Sequence, residues 1–209
     1  MVSGSDGGRG AYPKIKRVLD LIVASLALLF FTPLFLVIII LIKIDSPGPA
    51  FFWQVRIGKQ GKPFNFCKFR SMIRDAERHK DALRELNEAE PPLFKIREDP
   101  RVTSVGKILR KTSLDELPQM INVLRGEMSL VGPRPHLPEE VARYTEAHRE
   151  RLTVTPGITC LWQATNRAST RFDAWIESDL EYVRNRSFWL DLKVLYRTFH
   201  IVLSLKEAS

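Results

Sequence analysis

Cysteine is nearly absent: the 209 residues hold two, Cys67 and Cys160. Two distant thiols give neither a disulfide framework nor a zinc-ligand spacing. That removes the disulfide-stapled secreted classes and points to a reduced, cytosolic-facing domain. Histidine is also scarce. His79, His136, His148 and His200 show no metal-ligand or nucleophile–base spacing, and all four are expected at the surface. No small-residue cleavage site follows the one long apolar run, which speaks against a secretory signal.

What is abundant is positive charge, a net +8 spread along the chain. That balance suits an anionic partner: a membrane surface, a nucleotide or a nucleic acid. The length allows one domain of ordinary size with a real core. Residues 1–13 are Gly/Ser-rich and read as a flexible tail, an expression scar or the stump of a linker.

Val18 to Ile42 is apolar apart from Asp20, Ser25, Thr32 and Pro33. As a straight helix it reaches about 37 Å, enough to cross a hydrocarbon core of about 30 Å. Pro33 lies mid-segment and can break the helix. Lys14, Lys16 and Arg17 precede the run, and Lys43, Arg56 and Lys59 follow it. The positive-inside tendency keeps both flanks cytoplasmic and favours a helix–break–helix that enters and leaves by one leaflet. A kinked single span stays open, because proline is common in spanning helices.

Asp45-Ser46-Pro47-Gly48-Pro49 reads as a rigid turn. Phe51 to Ile57 and Phe64 to Arg70, separated by Gly58-Lys59-Gln60-Gly61, predict a β-hairpin with Phe64 and Phe66 in the core. Ile73 to Ala89 predicts a charged helix with a thin apolar stripe. Thr103 predicts the cap of a short helix through Leu109 that delivers Arg110. Glu139 to Arg149 reads as a helix, and Val154 to Thr159 as a turn and short strand. Phe172 to Arg186 and Ser187 to Leu205 read as helices. In the last, Trp189, Leu192, Leu195, Tyr196, Phe199 and Val202 form a band suited either to the headgroup plane or to the core.

The stretch Arg110 to Pro135 carries the chemistry. Ser113 followed by Glu116 is a capping box and predicts a helix with Leu117, Met120, Ile121 and Leu124 on its apolar face, ending at Gly126. Asp115 and Glu116 then occupy the first turn, where the dipole favours the charged form of Asp115. Arg110 and Arg134 flank them and can grip phosphate oxygens with directed N–H donors. Read locally, the same residues are equally a helix cap with a solvated Asp.

Several unusual motifs recur here in order. They are Ser113-Leu114-Asp115-Glu116-Leu117-Pro118-Gln119, Asn122-Val123-Leu124, Val131-Gly132-Pro133-Arg134-Pro135, Asp99-Pro100-Arg101-Val102-Thr103 and Trp162-Gln163 with Arg167. Together they resemble the bacterial sugar transferase family, the monotopic phosphoglycosyl transferases, from about Lys14 to Leu205. The resemblance implies an α+β, mostly helical fold. A re-entrant membrane hairpin over residues 14–44 would turn at Thr32-Pro33, and a small membrane-associated catalytic domain with interfacial amphipathic helices would cover residues 45–209. It further implies transfer of a sugar 1-phosphate from a UDP-sugar to polyprenyl (undecaprenyl) phosphate, with UMP released, at the cytoplasmic face of the inner membrane.

The implied roles are Asp115 as nucleophile and Glu116, with Asp115, on a Mg²⁺ or Mn²⁺ ion. Arg110, Arg134, Gln163 and Arg167 would lie on the phosphates and substrate, with membrane lipid as a further partner and no nucleic acid. A homodimer is compatible with the sequence. Cys160 and Asn166 stand where the family usually has Gly, which leaves the donor preference open. Two other classes stay open: a membrane-tethered polyanion-binding module, and a glycosyltransferase that releases UDP.

Overall fold

A computed structural model describes residues 7–165 and 171–203. The fold is mostly helical with two small sheets. Helix α1 spans Gly7–Asp45, so residues 7–13, expected in a tail, are helical. The helix runs on through Thr32 and Pro33, where a break was expected. An interior proline removes one N–H from the ladder, and the Thr32 hydroxyl donates back to the Leu28 carbonyl at 2.7 Å. From Ser25 to Val37 no side chain is buried. Leu29 and Phe30 are 75% and 77% exposed, so the middle of this stretch lies bare, while Leu34 and Phe35 pack toward Phe69.

Both ends of α1 are docked. At the N-terminal end Arg17 donates to the carbonyls of Val123 and Leu124 at 2.6 and 3.0 Å. These end a later helix, where a cation meets the negative pole. Asp20 accepts from the Leu130 N–H at 3.1 Å, and Ala24 packs with Phe64, Phe66, Val123 and Met128. At the C-terminal end Ile38 and Ile42 pack with Phe69 and Leu109. The Arg70 guanidinium holds the carbonyls of Ser46 and Pro47 at 2.7 and 2.6 Å.

The expected hairpin forms as β1 Phe51–Ile57 and β2 Pro63–Phe69, antiparallel, with Phe64 and Phe66 buried in the core. The segment 73–89 does not form the expected helix. It makes two short 3₁₀ turns, Ala76–His79 and Asp81–Leu86. Its thin apolar stripe buries too little to hold an isolated α-helix.

Helix α2 is Ser104–Lys111, with the Thr103 hydroxyl accepting from Gly106 N–H as expected. Ser113 is not the N-cap of the next helix. It sits at φ 55° and donates its N–H to the Arg110 carbonyl, which makes it the left-handed residue that terminates α2. Leu114–Gln119 is a 3₁₀ turn, because Pro118 has no N–H for an α ladder; α3, Met120–Arg125, follows and stops at Gly126 with φ 80°.

Strand β3 Ser129–Val131 pairs in parallel with β4 Gly157–Thr159. Between them the helix expected over 139–149 is two single turns, α4 Pro138–Val141 and α5 Glu146–Arg149. The chain breaks where Tyr144 turns its ring inward and Thr145 caps α5. Helices α6 Leu161–Thr165, α7 Phe172–Asn185 and α8 Phe188–Leu203 close the domain. On α8, Asp191 and Val194 face inward, while Trp189, Leu192, Leu195, Tyr196 and Phe199 are exposed, so core packing does not use this band. Asp191 ties α8 to α1, accepting from Lys16 at 2.6 Å and Tyr12 at 2.8 Å.

Gly106 is the contact that seats α2. A Cβ there would lie 2.0 Å from the Ser71 carbonyl oxygen, backbone that cannot swing aside. Gly106→Ala should therefore destabilise the domain by roughly 1–3 kcal/mol, read as a lowered Tm in detergent or nanodiscs. An unchanged Tm would mean that α2 does not sit this close to the end of β2.

Candidate active site

A cavity of about 770 Å³ opens between the hairpin, α2 and the 134–137 loop. Ten Lys or Arg residues line it against four Asp or Glu, which suits an anionic occupant. Phe52, Phe94, Trp162 and Trp175 supply aromatic wall, and the two Trp rings lie 4.1 Å apart.

The hairpin builds one side. Cross-strand partners Phe52↔Lys68, Gln54↔Phe66 and Arg56↔Phe64 share a face, which brings Gln54, Arg56 and Lys68 to the cavity. The Arg134 loop is held by its backbone, leaving the Arg134 side chain to reach inward. Arg151 donates to the Arg134 carbonyl at 2.7 Å, Arg56 to the Pro135 carbonyl at 3.1 Å, and Ile57 N–H to the His136 carbonyl at 2.9 Å. Arg151 is buried, ion-paired to Asp179, and donates to Tyr144. His136, expected at the surface, is buried with Nδ1 2.6 Å from the Tyr144 hydroxyl; burial holds its pKa well below the usual imidazole range.

The sequence-derived residues divide as follows. Glu116, Arg110, Arg134 and Gln163 all line the cavity. Arg134 Nη1 lies 3.7 Å from Glu116 Oε1. Arg110 donates from Nε to the Ser71 hydroxyl at 2.9 Å, which aims it from the last turn of α2. Gln163 accepts from the Cys160 thiol at 3.4 Å, so Cys160 reaches the cavity wall through it. Asp115 is 7% exposed and does not line the cavity. Asn166 and Arg167 lie outside the described residues. Thr32 and Pro33 are on α1, away from this site.

The charge state of Asp115 differs from expectation. A helix N-terminus would lower its pKa, but the α-helix starts only at Met120, so that dipole is not there. Burial pushes the Asp115 carboxyl up to about 6, Glu116 adds repulsion, and Lys68, Arg110 and Arg134 pull the other way. Burial in turn lowers the Lys68 ammonium to about 8, with Asp115 opposing. The sequence singles out no role for Lys68 and Arg56; the available signal is period-2 alternation, Lys68 with Phe64 and Phe66, and Arg56 with Phe52 and Gln54.

Among the described residues no group of three or more His, Cys, Asp or Glu side chains can hold a metal ion. The thiols are not nucleophiles at neutral pH, since burial pushes Cys67 to about 11 and Cys160 to about 12.

Residues 11–205 match the family described as bacterial sugar transferase. The exopolysaccharide production protein ExoY of Rhizobium meliloti is 41% identical over 194 residues, 90% of this chain and 84% of that protein. The undecaprenyl-phosphate galactose phosphotransferase of Salmonella typhimurium is 39% identical over 196 residues, 90% of this chain and 40% of that protein. The UDP-glucose:undecaprenyl-phosphate glucose-1-phosphate transferase of Escherichia coli is 41% identical over 192 residues, 88% of this chain and 39% of that protein. The chain thus spans about two fifths of the length of several curated relatives it matches.

The raised Asp115 pKa has a pH signature. The folded state takes up a proton between about pH 4, the unfolded value, and pH 6, so this carboxyl costs stability as pH rises through 6. Against Asp115→Asn, the metal-free wild type should lose on the order of 2 kcal/mol between pH 4 and 7. Denaturant titrations at both pH values measure this. A difference that stays constant with pH would mean that Asp115 is solvated.

Proposed function

We propose, for a chain that belongs to the bacterial sugar transferase family, that it transfers a sugar 1-phosphate from a UDP-sugar to polyprenyl phosphate through a covalent Asp115 ester. The observation that carries this reading is the cation-lined cavity with Glu116, Arg110 and Arg134 in its wall and the buried Asp115 carboxyl coupled to Glu116 behind it. The names of the Salmonella and Escherichia relatives supply the donor and acceptor classes.

In the first step an Asp115 carboxylate oxygen attacks the sugar-bearing β-phosphorus. The bond from that phosphorus to the bridging oxygen breaks, and UMP leaves with the electron pair. In the second, a phosphate oxygen of the lipid attacks the phosphorus and displaces the Asp115 carboxylate, giving polyprenyl diphospho-sugar. The result is ping-pong chemistry. Asp115 is nearly dry, so its carboxylate is weakly hydrated when ionised, and a pKa near 6 leaves it mostly ionised at neutral pH. Arg134 offers a guanidinium fork, and Arg110 and Lys68 bring further positive charge toward the phosphates.

A Mg²⁺ or Mn²⁺ ion fits the donor set. Two adjacent carboxylates repel each other here, and Mg²⁺ is commonly held by one or two carboxylates plus substrate phosphates. Glu116, with Asp115, would hold it, and such an ion neutralises phosphate oxygens.

The re-entrant form of α1 is part of the same proposal. A helix crossing the bilayer puts its ends on opposite sides of about 30 Å of hydrocarbon. Here Arg17 and Asp20 at one end, and Ile42 and the Ser46 carbonyl at the other, engage one globular body, which supports entry and exit by one leaflet. The exposed band on α8 suits the same interface. In this proposal the cavity lies at the cytoplasmic face of the inner membrane, within reach of the lipid phosphate.

Two experiments test this reading. Wild type incubated with labelled UDP-sugar and no lipid should release UMP and carry label on the peptide containing Asp115, and the label should chase onto added polyprenyl phosphate. Asp115→Asn should abolish adduct and turnover without unfolding, and Glu116→Gln should be severely impaired. Adduct on Glu116 would exchange the two roles. UDP release would mean transfer of the sugar alone, and binding without nucleotide release would mean a polyanion-binding module. For topology, single cysteines introduced as Ala11→Cys and Lys59→Cys should both resist an impermeant thiol reagent in intact cells and react after permeabilisation. Labelling of residue 11 from outside overturns the hairpin.

A further inference from the structure

A second cavity of about 720 Å³ shares a wall with the first; Arg101, Arg110, Met72 and Phe94 line both. Its remaining lining includes Lys107 and Lys111 of α2. Six of its residues are basic and two are acidic, and Asp99, one of the two, is taken by the Arg101 fork at 2.6 and 2.9 Å. Among the described residues, Lys107, Arg110 and Lys111 have no carboxylate within ion-pair distance, although all three sit on two successive turns of one short helix. Like charges so arranged repel, and a bound anion relieves that repulsion.

The location selects the anion. Helix α2 is pinned to the C-terminal end of α1: Asp45 accepts from the Val105 N–H at 2.9 Å, and Leu109 packs with Ile38 and Ile42. Beside Lys107, Ile108 is 63% exposed, and Ile44 at the end of α1 is 77% exposed. Exposed isoleucine flanked by lysine is the composition of headgroup depth. The second cavity therefore lies where the chain leaves the apolar segment. The first cavity has the tryptophan pair for a base or sugar, and the second has none.

Building on the proposed transferase reading, we propose that this second cavity receives the phosphomonoester head of the lipid acceptor. Lys107 and Lys111 hold it at the membrane surface, and Arg110, common to both cavities, passes it toward the phosphorus carried on Asp115. The acceptor then has a seat of its own outside the nucleotide-sugar cavity, and after UMP has left it reaches the Asp115 ester past Arg110.

The test is the double variant Lys107→Gln/Lys111→Gln of the full chain in phosphatidylcholine vesicles, beside a charge-keeping Lys107→Arg/Lys111→Arg control. Both lysines are exposed, so the melting curve should not change. The KM for polyprenyl phosphate should rise about five- to tenfold, as loss of two solvent-screened charge contacts implies. Donor-side UMP release without lipid should move little, and the arginine control should restore the lipid KM. Co-sedimentation reads the site independently of turnover. The glutamine variant should lose the extra binding that polyprenyl phosphate adds to phosphatidylcholine vesicles, and match wild type on phosphatidylcholine alone and on phosphatidylglycerol vesicles. Inorganic phosphate should compete for the wild type only weakly, because it lacks the membrane anchor. An equal loss on phosphatidylglycerol would reduce the lysines to general membrane attraction and overturn the site, as would an unchanged lipid KM with unchanged binding. If wild type forms no adduct, the covalent reading fails, and the co-sedimentation result still decides the cavity.

Discussion

The structure hangs on one apolar helix that the protein holds at both ends and leaves bare in the middle. Arg17 and Asp20 fix one end to α3 and β3, and Ile38, Ile42 and the Arg70 contacts fix the other to the hairpin and α2. Between them, Leu26, Leu29, Phe30 and Leu36 are mostly exposed. Leaving that surface in water would cost roughly 25 cal/mol per Å² of apolar area, which fits membrane anchoring. The hairpin, α2 and β3, which lead into the cavity, are attached to the docked ends of α1.

Within that frame the site is an exercise in holding charge out of water. Asp115 is buried next to Glu116, and the cost is offset by Lys68, Arg110 and Arg134. Those cations repel one another, and they stay in place because their supports are uncharged or already neutralised. Ser71 aims Arg110, strand pairing aims Lys68, and three successive carbonyls anchor the Arg134 loop. The buried Arg151–Asp179 pair belongs to this scaffolding. Removing one partner of such a pair strands a charge, so it acts as a rigid strut for the loop.

Much of the architecture is legible in local chemistry. The apolar run, the aromatic hairpin around Gly58–Gly61, the Thr103 cap, the stop at Gly126 and the last two helices each follow from periodicity or from a residue with one strong conformational preference. The readings that differ depend on a neighbour. Ser113 looks like a cap, but the helix before it needed a left-handed terminator more than the turn after it needed a cap. Helical spacing over 139–149 loses to Tyr144, whose ring is drawn inward by His136 and Arg151.

By itself the sequence set Asp115, Glu116, Arg110 and Arg134 in one short stretch of chain, and the fold brings Glu116, Arg110 and Arg134 to one cavity with Asp115 buried beside Glu116. Only the tertiary structure decided their state. Burial, rather than a helix dipole, sets the Asp115 proton. Lys68 and Arg56 arrive from a hairpin about fifty residues away, and His136 is interior. The physical reason is one of range. Helix caps, turns and alternation are decided within a few bonds, whereas desolvation and the field of distant charges depend on what the whole fold packs around a group.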